Sequence, residues 1–149
     1  MKKFILLIVL LFPFSYAQAE CRYLSILAEC LAEAEKGNPI AQFVLGTRYE
    51  QGECVDQDFP QAARWYRKAA DQGDRDAQYR LGLMYLHGKG LEKDPLSACM
   101  WMEIASINGL EEARSEMASL SAEISQSTLL EARERAQAWL DAYKHGSDN

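Results

Sequence analysis

Residues 41–73 recur at 77–109 without a gap. Shifted by 36 positions, Ala41, Gln42, Leu45, Gly46, Tyr49, Gly52, Asp58, Ala62, Trp65, Ala69 and Gly73 fall on Ala77, Gln78, Leu81, Gly82, Tyr85, Gly88, Asp94, Ala98, Trp101, Ala105 and Gly109. Self-similarity at such a period is the mark of a solenoid, in which each unit is one helix pair that buries its apolar face only against its neighbours.

The repeated positions can be read one at a time. Leu45 and Tyr49, like Leu81 and Tyr85, are four apart and share one helical face, which Ala41 and Ala77 extend by a turn. Gly46 and Gly82 fall inside these helices, where glycine costs roughly 1 kcal/mol against alanine. A cost paid twice implies a close helix–helix approach at both places. Gly52 and Gly88 stand where the stripe ends and read as helix stops. Asp58 and Asp94 read as N-caps of a second helix, with Pro95 at its first position and Pro60 still in the first turn. That helix carries Ala62, Trp65 and Ala69 at spacings of three and four and ends at Gly73, as its copy ends at Gly109. The unit is helix, short loop, helix.

The pattern Ala41-Gln42-x-x-Leu45-Gly46-x-x-Tyr49-x-x-Gly52, followed by Asp58, Ala62, Trp65-Tyr66, Ala69-Ala70 and Gly73, resembles the Sel-one-like repeat family, relatives of the tetratricopeptide repeats. The second copy departs from it at Met102 and Ser106, where the family pattern prefers an aromatic residue and alanine. The resemblance implies an all-α, short right-handed α-solenoid of stacked helix pairs, about seven helices in all, and a scaffold rather than a catalyst. On this frame residues 20–37 form a half-repeat helix that opens the stack, with Asn38-Pro39 starting the next helix. Residues 38–73 and 74–109 are the two full repeats. Residues 110–145 hold a partial repeat, in which Ala113, Met117 and Ala118 take the places of Ala77, Leu81 and Gly82, and then a closing helix. That helix is expected to start at a Thr128-x-x-Glu131 capping box and to carry the stripe Leu129, Ala132, Ala136, Trp139 and Leu140. Residues 146–149 are expected to be a frayed tail.

The N-terminus reads as a secretory signal. Lys2 and Lys3 precede an apolar run from Phe4 to Phe14, and Ala17-Gln18-Ala19 supplies a small-x-small cleavage site with Glu20 as first mature residue. The run is shorter than the ~20 residues of a spanning helix. Glu20 stands where a lipoprotein signal needs a small residue before Cys21. The expectation is therefore cleavage of residues 1–19, export (to the periplasm, or released outside) and no stable membrane insertion afterwards. Loss of Lys2 and Lys3 takes the net charge from −6 to −8, which argues against nucleic acid as partner.

Four cysteines remain, Cys21, Cys30, Cys54 and Cys99, and an even number in an exported chain favours structural disulfides. Repeat spacing leaves Cys21–Cys30 with Cys54–Cys99 as the fully bridged choice, and a single Cys21–Cys54 bridge as the alternative. No C-x-x-C is present. With His87 and His145 as the only histidines and no cysteine pair at ligand spacing, no metal site is expected. No cofactor is implied.

No Ser-x-x-Lys, Gly-x-Ser-x-Gly or His-Glu-x-x-His occurs. Gly88-Lys89-Gly90 lacks the hydroxyl residue and glycine spacing of a phosphate loop and reads as an inter-helix connection. Binding is the better expectation. If the first helices line the concave face and their repeated residues face the core, the others face outward: Phe43, Val44, Thr47, Arg48 and Gln51, then Tyr79, Arg80, Leu83, Met84 and His87. Such a surface suits a protein or peptide partner. The alternative is an envelope enzyme or a binder of cell-wall fragments in which Arg48 and Arg80 grip carboxylates.

Overall fold

The computed structural model describes residues 25–147, which form seven helices and no strand. The described part of α1 covers 25–35. It is followed by α2 (Pro39–Gln51), α3 (Phe59–Asp71), α4 (Arg75–His87), α5 (Pro95–Ile107), α6 (Glu111–Leu120) and α7 (Gln126–Ser147). Each helix packs on the next in the order α2, α3, α4, α5, α6, and α7 returns to lie on α5. The segment read as a secretory signal, residues 1–19, and Cys21 lie outside the described residues.

The helix boundaries follow from local chemistry. The Asn38 side chain accepts from the Ile40 and Ala41 N–H groups, that of Asp58 from Gln61 N–H and that of Asp94 from Leu96 N–H, so each satisfies amides that have no intrahelical partner. The Ser97 hydroxyl also donates to Asp94, which holds that carboxyl below its usual range. Gly52 and Gly88 close α2 and α4 in the left-handed conformation, at φ 72° and 68°. At Gly46 an added Cβ would lie 2.7 Å from the Tyr66 ring, and at Gly82 it would lie 2.8 Å from Met102 Cγ. Both glycines mark the close approach of paired helices.

The core runs through the stack. Leu45, Tyr66, Leu81, Trp101, Met102 and Ile104 are all buried. Gln42 and Gln78 are buried too. Gln42 Nε2 donates to the Ala34 carbonyl at 3.0 Å and its Oε1 accepts from Gln72 Nε2 at 2.7 Å. One repeat on, Gln78 Nε2 donates to the Ala70 carbonyl at 3.1 Å and accepts from Asn108 Nδ2 at 2.9 Å. Each amide therefore takes up a carbonyl at the end of one helix pair and is held by the end of the next. This repeated junction explains why the glutamine recurs.

Three expectations are corrected. First, α7 starts at Gln126, ahead of the Thr128 capping box. The Ser125 hydroxyl accepts from Thr128 N–H at 3.2 Å and so takes the cap role at the residue immediately before the helix. Second, α7 continues through Ser147, so residues 146 and 147 are helical rather than tail. Third, Cys54 and Cys99 do not pair with each other; among the described residues Cys30, Cys54 and Cys99 are unbridged, and the expected Cys21–Cys30 and Cys21–Cys54 pairings fall outside the described residues. Cys99 is buried between Met102, Met117, Leu120, Leu129 and Ala132, so it faces α6 and α7. Cys54 is exposed in the loop before α3, where Arg48 Nη1 lies 3.4 Å from its sulfur. Cys30 donates its thiol to the Ala41 carbonyl.

The expected α7 stripe is as read. Leu129, Ala132, Ala136 and Leu140 are buried, and Trp139 meets Trp101 edge-on at 5.6 Å. The helix thus covers the apolar end of the solenoid.

Candidate protein-binding face

The first helices of the units, α2, α4 and α6, share one face. Phe43 of α2, Asp76, Tyr79 and Arg80 of α4, and Leu110 and Glu112 at the start of α6 line an open depression of about 200 Å³. Phe43 lies 5.7 Å from the Tyr66 ring, which holds it half-buried at the edge. Tyr79 packs against Leu110 and Ala113, and burial raises its phenol above the usual value.

Beside this depression lies a small polar cluster. The Tyr66 hydroxyl donates to Glu50 Oε2 at 2.6 Å and lies 3.2 Å from Thr47 Oγ1. Thr47 in turn donates to the Phe43 carbonyl. Arg80 Nη1 stands 3.8 Å from the same Glu50 oxygen. Burial, helped by the Glu50 carboxylate that accepts its hydrogen bond, pushes the Tyr66 phenol far above its usual range. Glu50 thus bridges the two repeats across this face. Its position corresponds to Leu86, so the repeat comparison did not bring it out.

Phe43, Tyr79 and Arg80 meet in the depression, with Thr47 beside them. Of the others expected on this face, five do not join them. Met84 is 2% exposed, within a cluster that includes Ala63 and Tyr66, and is part of the core. Arg48 occupies the equivalent place in the first repeat and turns toward Cys54, so Arg48 and Arg80 do not form one grip. Leu83 packs half-buried against the cluster around Cys99 and Met102. Gln51 and His87 are exposed at the last positions of α2 and α4. Met84 and Leu83 share a cause: α4 is buried on two sides, by α5 of its own pair and by α3 of the preceding unit, and so has fewer free positions than the repeat identities imply.

Among the described residues no group of three or more His, Cys, Asp or Glu is arranged to hold a metal, and no helix is long and apolar enough to cross a membrane.

The fold is that of a helix-pair repeat protein of the α-solenoid class. Within that class, the Sel1 repeat family model matches residues 39–74 and 75–110, so the chain carries two tandem Sel1 repeats. Solved structures agree. The chain is similar to c5321, a protective antigen present in uropathogenic Escherichia coli strains that displays an SLR fold, at 35% identity and a TM-score of 0.74, over 78% of this chain and 25% of that one. It is similar to a Sel1 repeat protein from Oxalobacter formigenes at 44% identity and a TM-score of 0.58, over 58% of this chain and 25% of that one. It is also similar to Helicobacter pylori cysteine rich protein B at 29% identity and a TM-score of 0.59, over 62% of this chain and 69% of that one. The chain spans about a quarter of the length of the first two. No curated protein matches it.

Proposed function

We propose that this chain is an exported, non-catalytic scaffold that holds a segment of another protein on the face of α2, α4 and α6. The observation that carries the reading is the depression itself. It places two aromatic rings, Phe43 and Tyr79, beside one arginine, Arg80, across consecutive repeats. Aromatic and arginine side chains in a shallow, continuous surface favour peptide recognition. Sel1 repeat proteins generally mediate protein–protein interaction, which supports the same class. The depression's volume of about 200 Å³ is smaller than the ~300 Å³ at which small-ligand pockets begin. Arg80 lines the depression and Arg48 does not, which supports the peptide reading over a two-arginine grip on a small ligand.

The partner's chemistry follows from the lining. Asp76 and Glu112 flank Arg80, so the segment carries an apolar or aromatic side chain with charges of both signs around it. Export to the periplasm rests on the basic and apolar leader and the Ala17-Gln18-Ala19 site.

Site-specific photocrosslinking in cells tests the reading. A crosslinker at position 43 or 80 should capture one dominant protein, and one at Arg133 on α7 should not. Tyr79→Ala should abolish the capture without lowering the melting temperature by more than a few degrees. Equal capture from both faces, or a small molecule held in place of a protein, would refute the assignment. Export is checked separately by N-terminal sequencing of the purified protein, which should begin at Glu20; a chain beginning at Met1 would refute it.

A further inference from the structure

The outward side of α3 carries a second site of different chemistry. Arg64, Arg67 and Lys68 stand within little more than one turn and line a cleft of about 330 Å³ with Ala63, Leu81 and Leu91. The cleft runs between α3 and the loop that joins α4 to α5. None of the three cations forms a salt bridge among the described residues. In a chain of net charge −6 such a cluster is unexpected, since like charges three and four apart on a helix are destabilising.

The three side chains are held differently. The Arg67 guanidinium lies 5.0 Å from the Trp101 ring and 5.6 Å from the Tyr85 ring, and it donates to the Tyr85 hydroxyl. These contacts fix its plane before any ligand arrives. Lys68 Nζ lies 4.2 Å over Trp65, and Arg64 is exposed. The position of the loop is set by Gly90, whose missing Cβ would lie 2.3 Å from the Phe59 carbonyl carbon. That contact brings Leu91 to the cleft. The carboxylate acting on Arg67 is that of Asp71, which burial holds above its usual range.

We propose that this cleft binds an acidic peptide segment with an apolar side chain between its carboxylates. The cations recognise the carboxylates, by bidentate bonds where arginine is used. Leu81, Leu91 and Ala63 receive the apolar side chain. A continuous polyanion fits less well, because the Asp71 carboxylate acts on Arg67 and the chain as a whole is acidic. The site is on the opposite helix of the repeat from the face of α2, α4 and α6 and does not depend on that assignment.

The test is fluorescence anisotropy with the purified chain and a labelled, acetylated Glu-Asp-Leu-Asp-Glu peptide. Saturable binding that weakens with salt is expected. The double substitution Arg64→Glu with Lys68→Glu, at two exposed positions, should weaken it at least about tenfold while leaving the circular dichroism melt in place. Replacing the peptide's leucine by serine should weaken it severalfold, and Tyr79→Ala should leave it unchanged. Absent saturation, an affinity unaffected by the double substitution, or tighter binding of a single-stranded oligonucleotide of equal charge would each overturn the proposal.

Discussion

The Tyr143 hydroxyl donates a 2.7 Å hydrogen bond to the Gln72 carbonyl, 71 residues earlier in the chain. Tyr143 also stacks on Trp139 at 5.1 Å, and Trp139 meets Trp101. Through these contacts α7 spans α5 and its Tyr143 is tied to the turn between α3 and α4. Tyr143→Phe keeps the stack and removes only the hydroxyl, so it should cost about 1 kcal/mol. Tyr143→Ala also loses the ring contact and should cost more. Urea unfolding of both variants checks the order, and a Phe variant as damaged as the Ala variant would place the effect on the hydroxyl alone.

The glutamine junction makes a sharper demand. Gln78 is fully buried, with the Ala70 carbonyl and the Asn108 amide depending on it. Gln78→Leu fills similar space but leaves the buried Ala70 carbonyl without a bond, at a cost of about 1–3 kcal/mol, while the exposed Asn108 amide can turn to water. Asn108→Ala should cost less in the Gln78→Leu background than alone, because the bond between the two is already lost. A double-mutant cycle measures this, and strict additivity would deny the coupling.

Stability should respond to alkali through Tyr66. Its folded pKa is raised, chiefly by burial and also by its bond to Glu50. The stabilisation from a raised pKa is complete below the unfolded value of about 10 and is lost as pH climbs above it, because the unfolded chain then releases a proton that the folded chain keeps. The wild-type protein should therefore lose stability above about pH 10 more steeply than Tyr66→Phe, by up to ~1.4 kcal/mol per pH unit. Parallel slopes in denaturant titrations would contradict this.

The thiols should differ in access. Cys54 is exposed and Cys99 has no exposed surface. Maleimide added to the native protein should label Cys54 rapidly and Cys99 only after denaturant, as read by peptide mass mapping. Rapid native labelling of Cys99 would show that the contact of α5 with α6 and α7 opens readily.

Cys54 also has a positive φ of 64°, at the place where the second repeat has Gly90 at 69°. A left-handed backbone costs a residue with a Cβ roughly 1–2 kcal/mol, and glycine escapes that cost. Under reducing conditions Cys54→Gly should raise the stability by about 1 kcal/mol. A fall in melting temperature would mean that the contact between the Cys54 sulfur and Arg48 outweighs the strain.

The local elements were legible in the sequence because their causes are local. Asn38, Asp58 and Asp94 cap the amides within three residues of them, and Gly52 and Gly88 supply the conformation that ends a helix. Gly46 and Gly82 announced a close approach, and the copy at 36 residues announced stacking, since two identical apolar stripes can be buried only against neighbours. The roles of Gln42 and Gln78 were signalled by their identity at that spacing but not explained by it, because their partners Ala34, Ala70, Gln72 and Asn108 come from adjoining units.

What only the tertiary structure decided is which nominally outward residues are free. Arg48 and Met84 share one repeat position, yet Met84 fills the core while Arg48 reaches a loop cysteine. Trp65 and Trp101 also share one, yet Trp101 is buried under α7 while Trp65 is left beside Lys68. The Arg64–Arg67–Lys68 cleft needs the packing of the loop against Phe59. Helical periodicity reports the side that a residue faces. Which sides stay open depends on the neighbouring units, and those contacts exist only once the stack is assembled.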